Sequence, residues 1–105
     1  MAADRTPICF EKLDGEEYSV EITWLVLPSG AATVTGGQAT AIKVSDNSDA
    51  TSIVLASAGA MTAISGSQTT FGVQAGIVAE TYQIKAIADT DDGQKIGEIF
   101  DMLVV

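Results

Sequence analysis

Tyr18-Ser19-Val20-Glu21-Ile22-Thr23-Trp24 is the stretch on which the reading of this chain turns. Tyr18, Val20, Ile22 and Trp24 alternate with Ser19, Glu21 and Thr23, so a period of two places the apolar set on one face and the polar set on the other. That is the pattern of a half-buried β-strand. Asp14-Gly15-Glu16-Glu17 precedes it and Leu25-Val26-Leu27-Pro28-Ser29-Gly30 follows it, so turn chemistry brackets it on both sides.

Outward from this strand the same logic repeats. Ala31 to Thr35 runs into a Gly36-Gly37 turn, Ala39 to Val44 into Ser45-Asp46-Asn47-Ser48-Asp49, and Ser52 to Ala56 into Ala58-Gly59. Met61 to Ile64, Thr69 to Val73, Tyr82 to Ala88 and Ile96 to Val105 complete the strand candidates. A short helix within the Ala-rich stretch from Ser52 to Ala63 is the competing reading there. In the Tyr82 strand, Tyr82, Ile84, Ala86 and Ala88 share one face, and the small alanines would let a second layer approach closely. Asp89-Thr90-Asp91-Asp92-Gly93 then reads as a hairpin turn in which glycine supplies the positive φ.

Short strands at this density, with turns between them, predict two layers, because a single sheet of this size would leave one apolar face in water. About seven or eight strands fit an immunoglobulin-like antiparallel β-sandwich. At 105 residues the chain suits one domain. Residues 1–13 read as an N-terminal arm or first strand, and residues 14–105 as the sandwich. Ile8, Phe10 and Leu13, isolated apolar side chains before the first firm strand, are the candidate protein-interaction residues.

Composition narrows the functions. Fourteen acidic against five basic side chains give a formal charge of −9, which repels nucleic-acid phosphates. No stretch approaches a membrane span, and Met-Ala-Ala-Asp-Arg-Thr-Pro lacks the apolar core of a signal peptide. Synthesis in a reducing cytoplasm, with no membrane partner, is the expectation.

The chemistry-bearing residues argue against an enzyme. With no histidine there is no usual base for a nucleophile, and with one cysteine and no histidine there is no zinc set. Cys9, between Ile8 and Phe10, reads as a small apolar filler of the first strand. The Asp89 to Asp92 cluster lacks the spacing and distal Glu of a calcium loop, so it reads as an exposed hairpin, and Asp46 to Asp49 as an Asx-stabilised turn. Trp24 and Tyr82 read as core residues, Trp24 packed between the sheets, and not as a sugar-stacking face. No catalytic residue, metal or cofactor is expected.

A family resemblance then appears in Thr69-Thr70-Phe71, Ala75-Gly76, Ala79-Glu80-Thr81-Tyr82-Gln83-Ile84, Thr90-Asp91-Asp92-Gly93 and the closing Leu103-Val104-Val105. Glu17-Tyr18-Ser19-Val20, Ile22-Thr23-Trp24 and Pro28-Ser29-Gly30 add to it. Over residues 15–105 the chain resembles the small immunoglobulin-like structural proteins of tailed bacteriophages known as fibre-tail adaptors. It departs from their pattern in a longer stretch from Ala39 to Ala63 and in Asp101 and Met102 of the last strand. The resemblance implies a virion protein made in the host bacterial cytoplasm, placed on the tail, at the head-tail connection or on the capsid. Its partners would be other virion proteins and further copies of itself, met through strand edges or the N-terminal arm. An immunoglobulin-like adhesion or carbohydrate-binding module of a bacterial protein is the alternative.

Overall fold

The strand read first is present in the computed structural model, which describes residues 8–24 and 33–105. It is β2 (Tyr18–Thr23), preceded by β1 (Ile8–Lys12). Next come β3 (Val34–Lys43), β4 (Ser48–Asp49), the one-turn helix α1 (Thr51–Val54) and a tight turn at Ala56–Gly59. The rest is β5 (Ala60–Ser65), β6 (Gln68–Val73), β7 (Thr81–Thr90) and β8 (Lys95–Val104). Among the described residues no helix is long and apolar enough to cross a membrane.

The strands hydrogen-bond in the order β1-β8-β7-β3-β5-β6-β2, with β4 beside β3. β1 runs parallel to β8, and every other pairing of named strands is antiparallel. β5 turns the corner between layers: Ala60 and Met61 pair with Gln38 and Gly37, whereas Thr62 and Ala63 pair with Thr70 and Thr69. One layer is therefore β1, β8, β7, β3 and β4, and the other is β2, β6 and the second half of β5.

The core fills the space between them. Ile22, Trp24, Leu55, Phe71 and Val73 are buried in one cluster with Tyr82, Ile84, Phe100, Met102 and Val104. Phe71 and Phe100 meet across the layers with ring centroids 5.9 Å apart. Ala86 and Ala88 face inward as their alternation with Tyr82 and Ile84 predicts, and with Ala39 and Ala41 of β3 they are fully buried. Burial of β2 deepens along its apolar face, from exposed Tyr18 through half-buried Val20 to buried Ile22.

Three readings of strand and turn bounds need correction. Gly36-Gly37 is not a turn but lies inside β3, which runs unbroken from Val34 to Lys43 and carries a register shift between Val34 and Gly36. Ala31 and Ala32, read as part of a separate strand, lie outside the described residues, as does Pro28-Ser29-Gly30. Ser52 to Ala56 is not a strand: α1 takes up Ser52 to Val54 and Leu55 makes only a single bridge to Val73, so the competing helix holds at its start. The Asp46-Asn47 turn is shorter than read, because Ser48 and Asp49 pair back onto Lys43 and Ile42 as β4.

Candidate functional site: the seam between the two sheet edges

Among the described residues the pairing order ends in β1 on one layer and β2 on the other, so each pairs with one named strand and presents an outer edge. These edges face each other along one flank of the sandwich. The short link between them is cinched at Leu13–Glu17: the Glu16 N–H donates to the Leu13 carbonyl at 2.9 Å, and Glu16 Oε1 accepts the Leu13 N–H at 2.8 Å. Nearby the Tyr18 hydroxyl reaches the Glu11 carbonyl at 3.5 Å. Beyond that tie the layers part and leave a groove of about 540 Å³.

The groove is amphipathic by construction. Phe10, Val20, Ile22 and Phe100 come from inward-facing positions and form an apolar floor, with Ile8 and Tyr18 at its margin. Glu11, Glu21 and Glu98 also line it, and among the described residues no lysine or arginine does. The Tyr18 hydroxyl has its pKa raised, first by partial burial and then by the neighbouring Glu16 charge. An extended segment carrying apolar side chains on one face and cationic ones toward the rim would satisfy the edge backbone, the floor and the charge together.

Of the residues singled out from sequence, Ile8 and Phe10 lie in this groove, Ile8 exposed and Phe10 half-buried edge-on to Phe100 at 6.4 Å. Leu13 does not line it; exposed on the β1–β2 link, it belongs to the end of the sandwich. Nor is the N-terminal segment a detached arm over its described part, since β1 makes a parallel ladder with β8 from Ile8↔Phe100 to Lys12↔Val104. Residues 1–7 lie outside the described residues.

Cys9 is exposed, not a core filler, because the strand period that turns Phe10 inward turns Cys9 out. Lys12 was not anticipated. It follows Phe10 on the inward face, is fully buried, and its Nζ donates to the Leu13 carbonyl at 3.1 Å. Tyr18, Val20 and Ile22 were read as strand residues, yet sequence periodicity carries no signal of which strand ends a sheet.

The acidic turns are occupied by their own hydrogen bonds. Asp92 accepts from the Thr90 hydroxyl and from Gln94, Asp46 from the Ser48 hydroxyl and amide, and Asp49 from the Thr51 hydroxyl and amide. Each of these bonds favours the ionised form and lowers the carboxyl pKa. Asp91 accepts the Thr33 amide and Asp89 pairs with Lys95. Among the described residues no group of three or more acids and thiols is arranged to hold a metal ion.

Tyr82, near the start of β7, accepts the Ile77 N–H on its hydroxyl at 3.0 Å, five residues upstream. A tyrosine at that strand start, bonded back to the preceding link, is the corner device of immunoglobulin-like domains. With the layer order and the parallel first strand, it defines the class: an immunoglobulin-like β-sandwich. A solved structure of murine CRIg, an immunoglobulin-like domain, is similar over 96% of this chain and 95% of that one, with a TM-score of 0.51 and 11% identity. No family model and no curated protein matches the sequence.

Proposed function

We propose that this chain is a structural module of a tailed-bacteriophage virion, working through protein–protein contacts on the tail, at the head-tail connection or on the capsid. The seam carries the reading: two adjacent outer strand edges over an apolar floor form a surface suited to a neighbour's extended segment. The resemblance to fibre-tail adaptors supplies the virion setting. Cationic segments of other virion proteins are the partners its three glutamates favour. The carbohydrate-binding alternative loses its platform, because Trp24 and Tyr82 are both buried in the core.

Deleting residues 1–13 is a poor test, since it would strip β1 from β8. The double variant Ile8→Glu, Tyr18→Glu changes two exposed groove positions and keeps the ladders. Tagged wild-type chain expressed during infection by the phage that encodes it should co-purify with particles, and the folded variant should do so at least about tenfold less. Equal incorporation of both would remove the seam from the reading. Absence of the wild-type chain from particles would remove the virion.

A further inference from the structure

The link Ala75-Gly76-Ile77-Val78-Ala79 between β6 and β7 is held in a conformation that two of its residues resist. Ala75 has φ 46° and Ala79 φ 73°, the left-handed region in which a Cβ crowds the backbone. Several bonds fix it there. The Ile77 N–H donates to the Tyr82 hydroxyl, the Glu80 N–H to the Ile77 carbonyl at 3.0 Å, and the Ala79 N–H to the Val104 carbonyl at 2.8 Å. Yet the side chains at its apex face water, Ile77 at 55% and Val78 at 52% exposure. A link that merely reverses the chain is served by Gly, Asn or Asp. This one rigidly presents two β-branched apolar side chains.

Other exposed apolar residues share that end of the sandwich. The Val105 N–H donates to the Lys12 carbonyl, and its own carbonyl accepts the Asp14 N–H, which sets Val105 beside exposed Leu13. The exposed Val44 donates its N–H to Thr81 where β7 begins. Asp14, Glu16 and Glu80 lie among them, their amides bonded to the carbonyls of Val105, Leu13 and Ile77. Of the described lysines at this end, Lys12 is buried and Lys43 lies 3.8 Å from Asp46. The result is an apolar surface with an acidic rim.

We infer that this end of the sandwich, with Ile77 and Val78 at its apex, docks onto a different protein that offers an apolar recess ringed by lysines and arginines. Charge complementarity selects that occupant. A second copy meeting it end to end would oppose like carboxylates. The chain's other described lysines, Lys85 and Lys95, stand apart on β7 and β8, with Lys95 bridged to Asp89, and form no matching ring. The surface adjoins the β1–β2 seam at residues 13–17, but Ile77 and Val78 at its apex do not line the seam groove.

Amide NMR of the full chain titrated with a short amphipathic Leu/Lys peptide, against a Ser/Lys peptide of equal length and charge, tests this. The Leu/Lys peptide should give saturable shifts at Leu13, Ile77, Val78 and Val105 that weaken with salt, and the Ser/Lys peptide should bind far less. The double variant Ile77→Ser, Val78→Ser, at exposed positions, should bind the Leu/Lys peptide about tenfold or more weakly. Shifts at the seam residues Ile8 and Tyr18 report on the seam alone; the inference is overturned if no saturable shifts occur at Leu13, Ile77, Val78 and Val105, if both peptides shift these amides alike, or if the variant's Leu13 and Val105 amides respond as in wild type. A concentration-dependent dimer in sedimentation equilibrium, lost in the same variant, would assign the surface to a second copy and overturn it equally.

Discussion

The Trp24 indole N–H donates to the Thr69 hydroxyl at 3.1 Å across the β2–β6 pair, inside the core. Burying an indole is favourable for its area and unfavourable for its one donor unless that donor is met. Thr69, itself fully buried on β6, meets it. Thr69→Val keeps the shape and removes the acceptor, so it should cost about 1–3 kcal/mol. Trp24→Ala empties the site and should cost about 3–5 kcal/mol. Urea unfolding of the two variants checks the order; a Thr69→Val variant as stable as wild type would mean that the hydroxyl contributes nothing beyond packing.

The Tyr82 hydroxyl is the second buried polar group that fixes geometry. Tyr82→Phe leaves the ring in the core and orphans the partly buried Ile77 amide, at a cost of about 1–3 kcal/mol. Amide exchange at Ile77 should quicken more than exchange in β7. Uniform quickening would show a global loss of stability and not a loosened link.

Gly37 and Gly15 separate two reasons for glycine. A Cβ on Gly37 would collide with the Ile87 carbonyl oxygen and come within 2.6 Å of Met61 Cε and 2.9 Å of Ala88 Cα. Gly15, at φ +88°, has nothing within 4 Å of that position. Gly15→Ala should therefore cost only the left-handed strain, about 1–2 kcal/mol. Gly37→Ala should cost more than that, since backbone on neighbouring β7 must move. Thermal unfolding of both variants ranks them.

The misreading of Gly36-Gly37 has the same origin. Paired glycines signal a turn when only neighbours along the chain are considered, but here Gly37 lets β5 and β7 crowd β3 from either side, a tertiary cause invisible in sequence. The period-two faces of β2 and β7 were legible because each depends on the strand's own alternation and one buried side. α1 is legible only as the competing reading, since the Ala-rich stretch admits a helix while Ser52 to Ala56 also suits a strand, and nothing local decides between them. Of the seam, Ile8 and Phe10 could be found as stray apolar residues. Their partners on β2 could not, because edge position is a property of the whole pairing order. Lys12 carries no signal of its burial, since a lysine ordinarily reads as surface.

The acid limb of stability should follow Asp46, Asp49 and Asp92. Their carboxyls are lowered in the folded state, chiefly by the hydroxyls of Ser48, Thr51 and Thr90 respectively. On acidification the unfolded chain takes up protons at these sites first, so stability rises with pH there. The contribution is complete above the ordinary carboxyl value and is lost as pH falls through the lower folded values. The urea midpoint should change little between about pH 7 and about pH 5 and drop below about pH 4. Replacing the three aspartates with asparagine should flatten that drop, and an unchanged profile would place the cause in other carboxylates.

Lys12 sets stability against solubility. It points inward from β1, the last strand of its layer, and a buried ammonium held by one carbonyl at 3.1 Å carries a desolvation penalty that a methionine of similar length would not. An inward charge on an edge strand is also a recognised guard against edge-to-edge pairing, because a second strand docking there must keep that charge satisfied. Lys12→Met should thus raise the unfolding free energy by about 1–3 kcal/mol while promoting self-association along β1. Denaturant unfolding and light scattering on the same samples read the two effects separately. A variant that is less stable and stays monomeric would mean that the ammonium, through its bond to Leu13, holds the end of β1 in place and does not guard its edge.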